Sequence, residues 1–181
     1  WAARLHHAIS MHHGAGPHST LHWTRRRQRG TLRCMPTRTL SDLAETERLA
    51  AALAALVRPG DAILLEGDLG AGKTAFARAF LRTLAGDPGL DVPSPTFTLV
   101  QTYDTLKGPL HHYDLWRLTD RRAMAELGWD DATAEIVLVE WPDRLGPLAP
   151  AHALTLRFRP TGEDSREVEL TGWPDRLGQL S

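Results

Sequence analysis

Residues 67–74 read Gly67-Asp68-Leu69-Gly70-Ala71-Gly72-Lys73-Thr74, followed by Ala75. The G-x-x-x-x-G-K-[ST] spacing has a mechanical meaning. Its glycines let successive backbone N–H groups turn toward a polyphosphate, Lys73 reaches the terminal phosphates, and the Thr74 hydroxyl is placed to coordinate Mg²⁺. A helix that opens at this point adds its dipole and its unpaired N–H groups. Hydrolysis of a bound triphosphate also needs a carboxylate at the end of a neighbouring strand, to organise the metal or the attacking water. Glu140 follows Ile136-Val137-Leu138-Val139, and Asp114 closes His112-Tyr113-Asp114. The chemistry is expected to fall to Lys73, Asp114 and Glu140, with Thr74 and the two acids at the metal.

Ser94-Pro95-Thr96-Phe97-Thr98 stands between the helix after the loop and the next strand. In P-loop switch proteins this region supplies a hydroxyl that senses the γ-phosphate; the other reading is the plain start of a strand. Trp141 reads as core packing that would report nucleotide binding by its fluorescence. His111 and His112 read as sheet packing or as solvent-facing. Guanine readers use an Asn-Lys-x-Asp element, and this chain contains no Asn, so ATP is the expected nucleotide.

The elements that must position these groups follow from periodicity. Ser41 or Asp42 can cap a helix with apolar positions Leu43, Leu49, Ala50, Leu53, Leu56 and Val57, stopped by Pro59-Gly60. A strand over 61–66 leads into the loop, and a helix over about 72–85 leaves it. Strands are predicted from Phe97 to Tyr103 and from Pro109 to Leu115, then a short helix from Asp120 to Leu127 ended by Gly128. Ile136–Val139 is fully apolar and predicts a central strand. Ala153–Phe158 and Arg166–Thr171 alternate in polarity around a turn-rich stretch, a hairpin pattern. The expected fold is an α/β sandwich with a mixed sheet, parallel near the loop and antiparallel toward the C-terminus. Trp141-Pro142-Asp143-Arg144-Leu145-Gly146 recurs at 173–178, preceded by Gly172 instead of an acid; the echo reads as a shared turn sequence without chemistry of its own.

With 181 residues, 42% of them hydrophobic, the chain has the size of one ordinary domain with a real core. No apolar run approaches membrane-spanning length. One cysteine, Cys34, excludes an intramolecular disulfide and suits a cytoplasmic setting. The near-neutral net charge hides an asymmetry. Residues 1–41 carry seven Arg, six His and no acid, leaving 14 basic against 22 acidic groups beyond them. A folded part that acidic is expected to dock on proteins and to meet nucleic acid only indirectly. Residues 1–34 show no sustained period. They are expected to lie outside the domain at 35–181, as an over-long translation start, a disordered basic tail or a transit peptide. The pairs His6-His7 and His12-His13 have no framework to make a metal site.

Four motifs, in order, resemble the TsaE (YjeE) family: residues 67–74, Ser94-Pro95-Thr96-Phe97-Thr98-Leu99-Val100, His112-Tyr113-Asp114-Leu115-Trp116-Arg117-Leu118 and Val139-Glu140-Trp141-Pro142. The likeness covers about residues 37–171, and Trp116 stands where the family usually has Tyr. The resemblance implies a P-loop NTPase-type three-layer sandwich and a Mg²⁺-dependent ATPase, weak alone and stimulated by partners, in the biosynthesis of threonylcarbamoyladenosine at tRNA position 37. Its implied partners are the TsaD and TsaB subunits, whose complex the ATPase would reset between turnovers, with tRNA held by another subunit and no membrane involved. By the same resemblance, residues 67–74 bind the phosphates, Thr96 is the switch-like threonine, and Leu43 to Thr46 border the adenine. Asp143 and Arg166 match positions that touch the nucleotide. A small-molecule P-loop kinase is the alternative expectation, although the late region offers strands and only Arg157, Arg159 and Arg166 in place of an Arg-rich lid. A third reading is a scaffold that binds ATP without hydrolysing it.

Overall fold

The structure is a computed structural model that describes residues 21–28 and 31–180, with side chains from Thr37 onward. In chain order the elements are β1 (Leu21–Gln28), β2 (Thr31–Leu40), α1 (Leu43–Leu56), β3 (Ala62–Glu66), α2 (Lys73–Ala85), β4 (Val100–Thr105) and β5 (Gly108–Asp114). There follow α3 (Ala123–Glu126), α4 (Trp129–Ala132), β6 (Ile136–Glu140), two 3₁₀ turns at Pro142–Arg144 and Gly146–Leu148, β7 (Leu154–Pro160), β8 (Arg166–Thr171) and α5 (Pro174–Leu177). The strands form one sheet in the order β1-β2-β8-β7-β3-β6-β5-β4. Its centre is parallel, since β3 pairs in parallel with both β6 and β7, and β5 with β6. The β4–β5, β7–β8 and β2–β8 pairs are antiparallel. The expected mixed sheet, with a parallel centre and an antiparallel C-terminal hairpin, is the fold observed.

Alternation along the central strands builds the layers, because successive side chains leave a strand on opposite faces. Ile63 and Leu65 of β3, with Leu138 of β6, pack under α1 and α2 in one cluster. Ala62 and Leu64, with Val137 and Val139, face the second cluster around Tyr113, Met124 and Trp129. On the first face Leu49, Leu53, Phe76, Phe80 and Leu81 are at most 1% exposed. A large side chain buried to that degree is stabilised by about 1.5–3 kcal/mol relative to exposure. Asp42 caps α1 by accepting from the Glu45 N–H at 2.8 Å. The other end of α1 is closed from a distance, where Lys107 Nζ at the β4–β5 turn donates to the carbonyls of Ala54, Ala55 and Val57.

Two local expectations are corrected. The strand expected from Phe97 starts at Val100, because Leu99 sits in the left-handed region at φ 65° and its N–H bonds Pro95 O at 2.6 Å, closing a turn. The helix expected over 120–127 is a single turn at 123–126, and a second turn, α4, follows Gly128. A short C-terminal helix, α5, was not foreseen. On the open side of β8, Thr37–Leu40 pairs antiparallel with Arg166–Glu169, and β1 adds to β2. β2 thus runs through positions 34 and 35, and its last residues take up the N–H and C=O groups that the free edge of β8 offers. Residues 1–20, where most of the segment expected outside the domain and the two histidine pairs lie, are outside the described residues.

Candidate nucleotide and metal site

Parallel order brings the chemistry to one edge. Because β3, β6 and β5 are adjacent and run the same way, their C-terminal ends lie side by side, the position at which open α/β sheets hold ligands. The phosphate loop leaves β3 there, Glu140 ends β6 and Asp114 ends β5. In register, Glu140 stands opposite both Leu65 and Asp114. One cleft of about 350 Å³ is lined by Leu69, Gly70, Gly72, Lys73, Thr74, Ala75, Ser94, Thr96, Asp114, Trp116, Glu140 and Trp141.

The loop ends at Gly72, whose φ of 106° is left-handed and which caps α2 without any side-chain hydrogen bond. Among the described residues no side chain caps the first-turn N–H groups of α2, which are thus left for an anion beside the cleft. A Cβ on Gly72 would run into the Arg166 guanidinium, so the glycine is also what lets that arginine lie against the loop. Arg166 is held there by its donation to Asp164 O at 2.9 Å.

Lys73 is buried, with Nζ donating to Gly67 O at 2.7 Å and Asp68 O at 2.8 Å. The same ammonium stands 3.9 Å from the centroid of the Trp141 ring, close enough for cation–π attraction. Burial pulls its pKa below the ordinary lysine value, opposed by the charges of Glu140, Asp114 and Asp68. Thr74 donates its hydroxyl to Glu140 Oε2 at 2.9 Å, and Glu140 is only 2% exposed. Asp114, also buried, accepts on a single oxygen, Oδ2, from Ser94 and, at 2.9 Å, from Thr96. Its other oxygen accepts from the Trp116 N–H at 3.0 Å.

This donor set suits Mg²⁺ in particular. Among the described residues no group of three or more His, Cys, Asp or Glu is gathered into a cage. Mg²⁺ is held by one or two carboxylates together with phosphate oxygens and water, and the Thr74 hydroxyl with the buried Glu140 and Asp114 beside the loop could hold it here.

The remaining expected residues fall into two groups. Leu43, half exposed, and Ala75 line a groove between α1 and α2, and Ala75 also borders the cleft. Thr46, by contrast, is fully buried and donates its hydroxyl to Asp42 O at 3.3 Å, so its polar group is spent inside the helix. Gly67 and Asp68 line a second recess with Trp141 and Asp143. Asp143 itself is largely exposed, 3.6 Å from Arg144. It is a rim residue, apart from the Thr74–Glu140–Asp114 cluster.

Three residues gain a place that the sequence reading did not give them. Ser94 shares the Asp114 oxygen with Thr96, the two hydroxyls being 2.9 Å apart. His112, read as packing or solvent-facing, is fully buried with Nε2 3.1 Å from Glu140 Oε1. The signal was its spacing: in a strand, position 112 shares a face with 114. Trp116 also belongs to the cleft, its ring 4.4 Å from that of Trp141.

Comparison with known proteins gives the following. The family model for the threonylcarbamoyl adenosine biosynthesis protein TsaE matches residues 40–168. The chain is 42% identical over 105 residues to the tRNA threonylcarbamoyladenosine biosynthesis protein TsaE of Rickettsia felis, covering 58% of this chain and 61% of that one. It is 38% identical over 127 residues to the protein of the same description from Bacillus subtilis, covering 68% and 77%. The match thus spans about three fifths of the length of the first Rickettsia relatives. Among solved structures, Bacillus subtilis YdiB superposes with a TM-score of 0.65 at 32% identity, over 81% of this chain and 90% of that one.

Proposed function

The chain belongs to the TsaE family, and on that premise we propose that it binds and hydrolyses ATP with Mg²⁺ in the biosynthesis of threonylcarbamoyladenosine at position 37 of tRNA. The observation that carries this reading is the convergence on one cleft of Lys73 and Thr74, which open α2 after β3, with Asp114 and Glu140 at the ends of the neighbouring parallel strands β5 and β6.

Each residue then has a task. The uncapped first turn of α2 and the loop amides receive the phosphates. Lys73 exchanges its two carbonyl partners in the loop for terminal phosphate oxygens. Arg166, already lying against Gly72, adds a second cation beside the phosphate chain. Thr74 and Glu140 hold Mg²⁺, which when bound offsets charge on the phosphate oxygens. Asp114 orients the attacking water and, through Ser94 and Thr96, responds to the γ-phosphate. The adenine lies toward Leu43 and Ala75; Thr46 supports that helix turn from inside. Asp143 borders the nucleotide from the rim.

The partners in this reading are the TsaD and TsaB subunits, with tRNA held by them and hydrolysis resetting the complex in the cytoplasm. Among the described residues no helix is long and apolar enough to cross a membrane. A phosphoryl-transferring kinase is less well supported, because Arg157 and Arg159 are taken up by Glu66 and Glu167 on the sheet. Turnover measured with and without the TsaD–TsaB pair tests the proposal: the pair raises the rate, and Glu140→Ala abolishes both that rate and cellular threonylcarbamoyladenosine. Equal rates in a competent complex, or intact modification with the variant, would overturn it.

A further inference from the structure

We propose that His112 is a positioning residue for the metal acid: its Nε2–H fixes the rotation of the Glu140 carboxylate so that one oxygen is presented to Thr74 and the metal. The inference rests on the ATPase reading above. Glu140 is buried, and its two oxygens have different partners, Oε2 the Thr74 hydroxyl at 2.9 Å and Oε1 the His112 ring at 3.1 Å. With both oxygens engaged, the carboxylate cannot turn about its last bond without losing two hydrogen bonds in place of one. His112 engages the oxygen that Thr74 leaves free.

The geometry also selects the tautomer. Among the described residues His112 Nδ1 is buried without a hydrogen-bond partner. A proton on Nδ1 would be an orphaned donor, and it would leave the Nε2 lone pair facing a carboxylate oxygen, each a costly arrangement in a dry interior. A proton on Nε2 satisfies the carboxylate and leaves only a weak acceptor unmet. Two strands fix this placement. His112 and Asp114 share one face of β5, and Leu138 and Glu140 share the matching face of β6, with His112 opposite Leu138 and Asp114 opposite Glu140. The imidazole thus reaches Glu140 from one register step behind the metal. Groups that orient a metal-binding carboxylate typically change metal affinity by about 10–100-fold when lost.

The test separates positioning from packing. Nitrogen NMR of the wild-type ring reports the tautomer directly, with the proton on Nε2 as the expected result; a proton on Nδ1 overturns the proposal. ADP binding is then titrated by tryptophan emission, with and without Mg²⁺, for His112→Phe and His112→Gln. Metal-free ADP binding is expected to stay within about threefold of wild type in both, while His112→Phe requires at least about tenfold more Mg²⁺ for the metal-dependent gain. His112→Gln, which returns an N–H near the Nε2 position, restores most of it. Equal Mg²⁺ requirements in wild type and His112→Phe, or metal-free binding lost along with the metal response in both variants, would overturn positioning. Wild-type protein that binds ADP with no response to Mg²⁺ would instead remove the ATPase reading on which it rests.

Discussion

The Thr74 hydroxyl donates to Glu140 Oε2 across 2.9 Å, joining the first turn of α2 to the end of β6. On the proposed reading both groups would hold Mg²⁺, so they are expected to act as one unit. Thr74→Ala and Glu140→Gln are each expected to raise the Mg²⁺ requirement of hydrolysis at least about tenfold. The double variant should lose little more than either single one, because coupled partners are not additive. Fully additive losses in a double-mutant cycle would show that the two side chains serve separate steps.

Asp114 takes two hydroxyl donors, Ser94 and Thr96, on one oxygen. If the acid orients water, Asp114→Ala should lower kcat by about a hundredfold or more while KM for ATP changes only a few-fold. Ser94→Ala and Thr96→Ala should each have a smaller effect on kcat. A loss confined to KM would mark the cluster as a binding element and not a catalytic one.

Much of this site was legible before any coordinates, because each element carries a local signal. The loop glycines, the apolar run before Glu140 and the polar end of β5 identify their own positions, and parallel strands place their ends together. What was not legible depends on contacts between distant segments. Ser94 needed the turn made by Leu99 at φ 65° before its hydroxyl could reach Asp114. His112 needed the β5–β6 register to be seen as a partner of Glu140. Thr46 was expected beside the adenine by resemblance alone, and only tertiary packing shows that it is completely buried. The pairing of β2 with β8 has no periodic signature in residues 37–40; it depends on an edge that the C-terminal hairpin leaves open.

Tyr113 lies in the second core cluster, edge-on to Trp129 at 5.2 Å, with its hydroxyl donating to Leu127 O at 3.1 Å. Burial pushes its pKa up to about 12 from an ordinary 10.0. A phenol raised in the folded state gives stability that is fully present below the unfolded value and is lost as pH climbs toward the folded one. On the order of 3 kcal/mol should therefore disappear between pH 10 and 12. Tyr113→Phe should cost about 1 kcal/mol at neutral pH and abolish that alkaline decline. Urea unfolding of both proteins across the range measures the difference, in which the opposite contribution of the lowered Lys73 cancels. Parallel pH profiles would refute the assignment to Tyr113.

Gly172 explains why the repeated Trp-Pro-Asp-Arg-Leu-Gly turn carries an acid in one copy only. Both copies place their Trp in the left-handed region, Trp141 at φ 61° and Trp173 at φ 38°, and both run into a helical turn. Glu140 precedes the first. Before the second, the chain stands at φ 116°, and a Cβ there would overlap the carbonyl oxygen of Ala153. Trp173 donates to the neighbouring His152 O at 3.2 Å, and Arg176 stacks on its ring while pairing with Asp61, so the turn cannot shift without breaking these bonds. Gly172→Ala should cost at least about 2 kcal/mol of stability, from backbone strain together with the clash, and lower the melting temperature. Its ATP turnover, measured at a temperature where the variant remains folded, should match the wild type, because the turn stands at the opposite edge of the sheet from Glu140. A variant with unchanged melting temperature would mean that β7 and β8 separate freely at this point, and the close approach would then have no energetic weight.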